Sequence, residues 1–323
     1  METINWAIVA PGRIATKFAT ALIQQKGHRL AAICSRSLEN ANHFANAFDP
    51  AAKRFDDLSQ CLAENSIDVV YIANPHPFHF EAVHLALRAG KAVLCEKPMT
   101  MKADQTRELV ELARKQQIFL MEAIWMRFMP ALIDVKQRVQ AGQIGDVLFL
   151  SAQLTLKRAV DPDHRLFSPG LGGGAMLDLG IYPLAFADMM LGEPIAVQGL
   201  RHNAHTGVDD VFTFATGYSS GAVAQLLCST RFEIDNSAKI IGTQGQIDII
   251  GPFHQADQII INAYDGMPQT LQFPHDVNGY EWEIREVARA LRAGKTESPL
   301  MPLATSVGLA EQMDGLLAAL PHR

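Results

Sequence analysis

Ala92-Val93-Leu94-Cys95-Glu96-Lys97-Pro98 reads as a short buried strand that ends in an acid, an ammonium and a chain-breaking proline. Lysine is rarely buried unless it is paired. Lys97 at the mouth of a parallel sheet is therefore either neutralised by Glu96 or held there to act on something bound. The neighbours of this run make it one strand of such a sheet. Ile4-Val9, Leu30-Ser35, Ile67-Ala73 and Ile118-Met121 are short, apolar and β-branched in the same way, and longer amphipathic stretches separate them. Alternation of this kind implies right-handed crossovers and a parallel sheet covered by helices on both faces, the architecture of a nucleotide-binding domain.

After Met129-Pro130 the grammar changes. A helix to about Gln140 precedes strands joined by short turns, among them Asp210-Tyr218 and Ala222-Arg231 linked through Ser219-Ser220-Gly221. Hairpins mean antiparallel pairing. Further strands are expected near Lys239-Gly242, Gln246-Ile250 and Gln258-Asn262, and two closing helices near Gly279-Ala293 and Leu303-Leu320. The expected fold class is thus α/β followed by α+β. An N-terminal Rossmann dinucleotide-binding domain is expected over 1–122, and a C-terminal domain on a large, mostly antiparallel open sheet over 123–323.

Composition excludes several classes. With 48% hydrophobic and 19% charged residues the balance is that of a globular protein, and a net charge of −6 speaks against nucleic acid as the main partner. The N-terminus enters Ile4-Val9 without a basic region and apolar leader, so the chain is expected to stay in the cytoplasm. No apolar stretch approaches the roughly 18 residues of a membrane span, the longest candidate being Tyr182-Leu191, interrupted by Asp188. Cys34, Cys61, Cys95 and Cys228 lack C-x-x-C spacing and read as reduced, structural thiols. His76 and His79 are three apart, but no further ligand accompanies them and no metal is expected.

Ala10-Pro11-Gly12-Arg13-Ile14-Ala15 follows a strand and opens a helix, the context of a dinucleotide fingerprint, although alanine stands where the first glycine belongs. Glycines there permit a tight turn and close approach of pyrophosphate to the helix N-terminus. About 20 residues on, an acid would bind the ribose of NAD. Cys34-Ser35-Arg36-Ser37 instead offers hydroxyls and a guanidinium, suited to the 2′-phosphate of NADP. Asn74-Pro75-His76-Pro77-Phe78-His79 lies at the carboxyl end of the sheet. His76 has two readings, a contact to nicotinamide or substrate and a capping or surface imidazole. Gly172-Gly173-Gly174 precedes a helix on which Asp178 and Tyr182 are four apart and share a face. That pair suits a ligand, or else a core aromatic beside an acid that meets a neighbouring donor.

In their joint order, the nucleotide turn, Glu96-Lys97-Pro98 and Asp178-x-x-x-Tyr182 resemble the Gfo/Idh/MocA family of oxidoreductases over essentially the whole chain. Met121-Glu122-Ala123-Ile124-Trp125-Met126-Arg127-Phe128-Met129-Pro130 is most similar to the family's dihydrodiol and NADP-dependent D-xylose dehydrogenases. The resemblance implies that Lys97 and Tyr182 face each other across the nicotinamide. Tyrosine titrates near 10, so a lysine ammonium beside it would ease its use as a base, and Lys97 would stabilise the developing alkoxide. It further implies that Asp178 orients the substrate and Trp125 offers a wall for a ring. Ala10, Gly12, Arg13, Ile14, Ser35, Arg36, Asn74, Pro75, His79, Glu96, Lys97 and Tyr280 are the expected cofactor contacts. His76, Trp125 and Arg165 are expected at the substrate. Family members often have a cis peptide at the position of Lys97-Pro98, which sequence leaves open. The expectation is an NADP-dependent dehydrogenase of a sugar, cyclic polyol or trans-dihydrodiol, forming a homodimer through the C-terminal sheet. The alternatives are a regulator or an NAD-dependent glycosidase on the same fold.

Overall fold

The computed structural model describes residues 3–319, which divide by contact into two units. The first unit runs to Trp125 and resumes over Asp276–Ala310. Its strands are β1 Ile4–Val9, β2 His28–Cys34, β3 Lys53–Phe55, β4 Val69–Ile72, β5 Ala92–Glu96 and β6 Leu120–Ala123. Between them lie α1 Arg13–Leu22, α2 Leu38–Phe48, α3 Leu58–Leu62, α4 His79–Arg88 and α5 Ala103–Gln116. All six strands pair parallel in the order β3-β2-β1-β4-β5-β6, so the direction in which successive strands are added reverses between β1 and β4. Open α/β sheets bind ligands at the carboxyl ends of the strands flanking such a switch point. Every residue of β4, β5 and β6 is buried, as expected of strands with both faces covered. β3 was not expected. It is three residues long, includes an exposed lysine and takes its definition from pairing with β2 at the sheet edge.

The second unit comprises Met126–His275 and the residues from Glu311 on. It contains α6 Pro130–Gln140, β7 Val147–Thr155, α7 Ile181–Leu191, β8 Ala196–Asn203, β9 Asp209–Gly217 and β10 Val223–Ser229. β11 Ala238–Gly242, β12 Gly245–Ile249, β13 Gln258–Ala263 and β14 Gln269–Gln272 complete it. The sheet order is β14-β13-β12-β11-β7-β10-β9-β8, antiparallel except where β7 pairs with β10. The mostly antiparallel sheet expected from the hairpins is therefore present. On one face Leu150, Leu226, Phe214 and Ile240 are buried, and α7 packs against β7 and β10. Gly180 permits close approach there, because a Cβ on it would lie 2.7 Å from Met176 Sδ and 2.9 Å from Cys228 Sγ.

Pro169–Leu191 is, by length and composition alone, apolar enough to cross a membrane, a longer run than the expected Tyr182-Leu191. Its apolar window is 83% buried inside the protein, so its hydrophobicity on all sides is that of a core helix.

α8, Tyr280–Arg292, packs on α1 and belongs to the first unit, as does the start of α9, Leu303–Ala319. The linear boundary at residue 122 therefore differs from the division by contact. Short-range sequence pattern carries no mark of the chain's return to an earlier unit. The Glu281 carboxylate begins α8 by accepting the backbone N–H groups of Val277, Asn278 and Gly279 at 3.0, 3.2 and 2.7 Å. The helix expected to end at Leu320 is described as far as Ala319, and Leu320 itself lies outside the described residues.

Candidate active site

In the first unit, three loops leave the carboxyl ends of β1, β4 and β5, which are adjacent in the sheet. After β1, Ala10 adopts φ +62°, the left-handed backbone that the fingerprint glycine would supply, and its N–H donates to Cys34 O at 2.9 Å. Gly12 caps α1 without a side chain, and no acid occupies the first turn of that helix. Its N-terminal amides and positive dipole end are thus suited to an anion such as pyrophosphate. After β2, Ser35 is half-buried and Arg36 exposed, and no carboxylate stands between Cys34 and Ser37. Ser37 is committed to capping α2 through Asn40 N.

After β4, Asn74 Nδ2 donates to Phe78 O at 3.2 Å, while the buried Asn74 Oδ1 has no donor among the described residues. An orphaned acceptor at the switch point fits a ligand that brings its own N–H or O–H. His79 is fully buried, with Nδ1 2.8 Å from Pro98 O and Nε2 2.6 Å from Asn74 O. Burial pushes its pKa down and outweighs the two carbonyls, and the charge of Lys97 acts in the same direction. A ring so enclosed ties the β4 loop to the exit of β5 and acts on a ligand through those loops. His76 is 8% exposed and lies edge-on to His79 with ring centroids 5.7 Å apart, so its surface reading gives way to a buried one.

After β5, Lys97 is half-buried and the Lys97–Pro98 peptide is cis. Glu96 is buried; its Oε1 accepts the Tyr71 hydroxyl at 2.5 Å and its Oε2 the Lys97 N–H at 3.3 Å. Beyond the proline, Met99 N–H donates to Glu122 Oε1 at 2.8 Å. The loop that presents Lys97 is thus held on both sides by buried carboxylates. Trp125 and Tyr280 are both buried and stack on each other, with centroids 4.6 Å apart and planes 15° from parallel. One face of the expected Trp125 wall is therefore covered by Tyr280.

In the second unit, Asp178 sits in a π-type turn, Met176–Gly180, that leads into α7. Such turns recur at functional sites. The glycines before it allow the entry: Gly174 has φ +125°, and a Cβ on it would lie 2.3 Å from Asp209 Oδ1. Asp209 Oδ2 accepts Met176 N–H at 2.6 Å, and burial pushes its pKa up to about 6. Arg165 and Asp178, expected separately at the substrate, form a two-pronged pair, Nη1 to Oδ1 at 3.0 Å and Nη2 to Oδ2 at 3.2 Å. The Tyr182 ring is 7% exposed and lies 5.0 Å from that of His254.

Tyr71, Glu283, Asp209 and His254 were not foreseen. Two left a signal in the sequence. Tyr71 is a hydroxyl within the otherwise apolar Val69-Ile72, and Glu283 occupies the same helical face as Tyr280, Ile284 and Val287. Asp209 and His254 are recognisable only once the chain has brought them to Met176 and Tyr182.

Residues 4–123 match the model of the oxidoreductase family with an NAD-binding Rossmann fold, and residues 132–248 match that of the GFO/IDH/MocA C-terminal domain. The trans-1,2-dihydrobenzene-1,2-diol dehydrogenase of Homo sapiens is 34% identical over 333 residues, covering 98% of this chain and 97% of that protein. The D-xylose 1-dehydrogenase (NADP(+)) of Hypocrea jecorina is 32% identical, covering 98% of this chain and 91% of that protein. A solved 3-ketoreductase from Actinomadura kijaniata, in complex with NADP and TDP-benzene, has a TM-score of 0.88 at 24% identity over 99% of both chains, a likeness of fold.

Proposed function

The chain belongs to the Gfo/Idh/MocA family of oxidoreductases, and from that premise we propose that it moves a hydride between NADP and a secondary alcohol of a sugar, cyclic polyol or trans-dihydrodiol. It is a dehydrogenase of CH–OH donors that uses NADP, in keeping with relatives named as a diol dehydrogenase and an NADP-dependent xylose dehydrogenase. One observation in the fold carries the reading. The left-handed turn at Ala10, the orphaned acceptor of Asn74 and the loop bearing Lys97 leave the carboxyl ends of neighbouring strands β1, β4 and β5.

Bound NADP supplies the hydride acceptor or donor. Gly12, Arg13 and Ile14 at the start of α1 hold its pyrophosphate, and Ala10 shapes that turn. Ser35 and Arg36 take the 2′-phosphate. Asn74 and Pro75 line the β4 exit, His79 and Glu96 position the loops around it, and Tyr280 backs the site through its stack with Trp125. Tyr182 exchanges the proton of the reacting hydroxyl, and the Lys97 ammonium stabilises the alkoxide as charge develops. Asp178, oriented by Arg165, fixes the hydroxyls of the substrate. His76 and Trp125 complete its surroundings.

The outward face of the second unit's sheet offers a surface for a homodimer. Leu200 opposes Thr213, which opposes Leu227, and Val223 opposes Phe149, which opposes Ile241. Leu200 is 62% and Val223 45% exposed. An apolar sheet face of that kind gains by being covered. The four buried free cysteines accord with a reducing compartment, the cytoplasm.

The test is the appearance of NADPH absorbance with NADP⁺ and a panel of aldoses, inositols and trans-dihydrodiols, repeated with Lys97→Met and Tyr182→Phe. Turnover that both substitutions abolish is expected. NADP binding without turnover of any member would replace the enzyme by a regulator.

A further inference from the structure

β4 and β5 run parallel with Tyr71 opposite Leu94, so Tyr71, Leu94 and, two residues on, Glu96 point to one face of the sheet. Glu96 is thereby the diagonal neighbour of Tyr71, a spacing that a long aromatic side chain can span. The Tyr71 hydroxyl donates to Glu96 Oε1 at 2.5 Å, at the short end of the range for a hydroxyl on a carboxylate. The other oxygen of that carboxylate, Oε2, accepts the Lys97 N–H at 3.3 Å. Two hydrogen bonds therefore run in series, from phenol to carboxylate to the backbone of the lysine.

The phenol has little freedom to point elsewhere. Tyr71 is 0% exposed, and its ring stacks on Phe18 of α1 with centroids 3.8 Å apart and planes 11° from parallel. Phe18 in turn meets Trp6 of β1 edge-on at 5.4 Å, and Trp6 is itself tied down through Nε1–H to His28. Phenylalanine at position 71 would fill the same stack without burying a hydroxyl, so packing alone gives no reason for the oxygen. Burial, and then the charge of Glu96, raise that hydroxyl well above its usual value, which keeps it a donor. We propose that Tyr71 is a positioning residue whose hydroxyl fixes the Glu96 carboxylate, so that Oε2 holds the Lys97 backbone in one place at the carboxyl end of β5. Without that hydroxyl the carboxylate loses one of its donors and is free to turn away from the Lys97 N–H. Tyr71 acts through Glu96 and not on the substrate. Its influence on turnover rests on the reading of Lys97 as the alkoxide-stabilising group; its hold on the Lys97 amide does not.

Tyr71→Phe removes one oxygen and keeps the ring in its stack. The first arm compares amide NMR spectra of the full-length wild type and variant. The Lys97 N–H is expected to move upfield, as a proton losing a carboxylate acceptor does, while the Val93 N–H, bonded to Phe119 O at 2.9 Å within the same strand, stays in place. An unmoved Lys97 resonance overturns the proposal, and so does an equal movement of both, which would report general repacking. This arm needs no substrate, so it stands even if no alcohol is turned over, an outcome that would sink the functional reading instead. The second arm is kinetic. Tyr71→Phe is expected to lower kcat about tenfold while the Kd for NADP stays within about threefold, because a displaced ammonium weakens alkoxide stabilisation and the groups that hold the phosphates are untouched. Unchanged kcat, or a loss of NADP affinity as large as the loss of kcat, would overturn the positioning role.

Discussion

Replacing Arg165 by methionine removes the fork that holds Asp178 and leaves most of the side-chain volume. The two nitrogens lie 3.0 and 3.2 Å from the two carboxylate oxygens, and the side chains are 41% exposed for Arg165 and 9% for Asp178. At an effective dielectric constant of about 20, unit charges roughly 4 Å apart attract by about 4 kcal/mol. The solvent on Arg165 and the ordering of its side chain reduce that to about 1.5 kcal/mol for a charge-assisted pair of this exposure. If Arg165 serves turnover by orienting Asp178, its loss lowers kcat/KM by about tenfold, the factor that 1.4 kcal/mol represents. The assay is a double-mutant cycle of wild type, Arg165→Met, Asp178→Asn and the double variant, followed as NADPH formation with the best substrate of the panel. In the Asp178→Asn background the methionine substitution should cost almost nothing, giving a coupling energy of about 1.5 kcal/mol. Arg165→Lys, which keeps the charge and loses the fork, should fall between. A full loss from Arg165→Met in both backgrounds would refute the reasoning and make Arg165 an independent contact to the substrate.

Arg36→Ala should raise the Kd for NADP by about 10- to 100-fold and leave that for NAD within about twofold, because a charge-assisted contact to the extra phosphate is all that is removed; titration of the protein's fluorescence with each cofactor measures both. Ala10→Gly should raise the unfolding free energy by about 0.5–1 kcal/mol, read as a higher denaturant midpoint at unchanged slope, since the left-handed backbone at φ +62° costs alanine more than the added freedom of glycine in the unfolded chain. Unchanged or lower stability would show that the alanine methyl is compensated by packing. His28 accepts the Trp6 Nε1–H at 3.0 Å, and burial, aided by the charge of Arg292, lowers its pKa to about 4. Its folded value lies below its unfolded one, so the contribution is complete above about pH 6.5 and is lost as the pH falls toward about 4. Discounted for partial exposure, wild type should lose about 1 kcal/mol more than His28→Gln between neutral pH and about pH 5 in urea melts. Parallel pH dependence of the two proteins would remove His28 as the cause.

The first unit was readable because its strands are buried on both faces and announce themselves as continuous apolar runs, while the helices between them carry a different period. Of the five foreseen strands Ile4–Val9 is observed with the same bounds, and the other four differ by one or two residues at one or both ends, where apolar pattern and hydrogen bonding part company. β8 escaped notice because its sequence Ala-Val-Gln-Gly-Leu-Arg-His-Asn is largely exposed and exists as a strand through β9. β7 joins β10 in parallel across about 70 residues of chain, a pairing that no local pattern encodes. In the site, residues on recognisable motifs were found one by one, and their partnerships were not. Arg165 with Asp178, Trp125 with Tyr280 and Glu96 with Tyr71 are contacts between segments far apart in sequence or separated by irregular turns. The same is true of the Ala10 turn, where an apparent departure from the glycine pattern concealed an alanine in glycine's backbone conformation.

The split composition of the first unit sets an order of events during synthesis. Its sheet is complete once Ala123 has emerged, but Asp276–Ala310 follow only after about 150 further residues. At ribosomal speeds of about 5–20 residues per second that gap lasts roughly 8 to 30 s. Throughout it Trp125 lacks Tyr280, and the surface of α1 that receives α8 faces solvent or a chaperone. A nascent chain halted at His275 therefore carries every residue of the fingerprint and still lacks the helix that seals it. The capacity to bind a nucleotide should mature only after Asp276–Ala310 have been synthesised, well after the residues of the fingerprint itself.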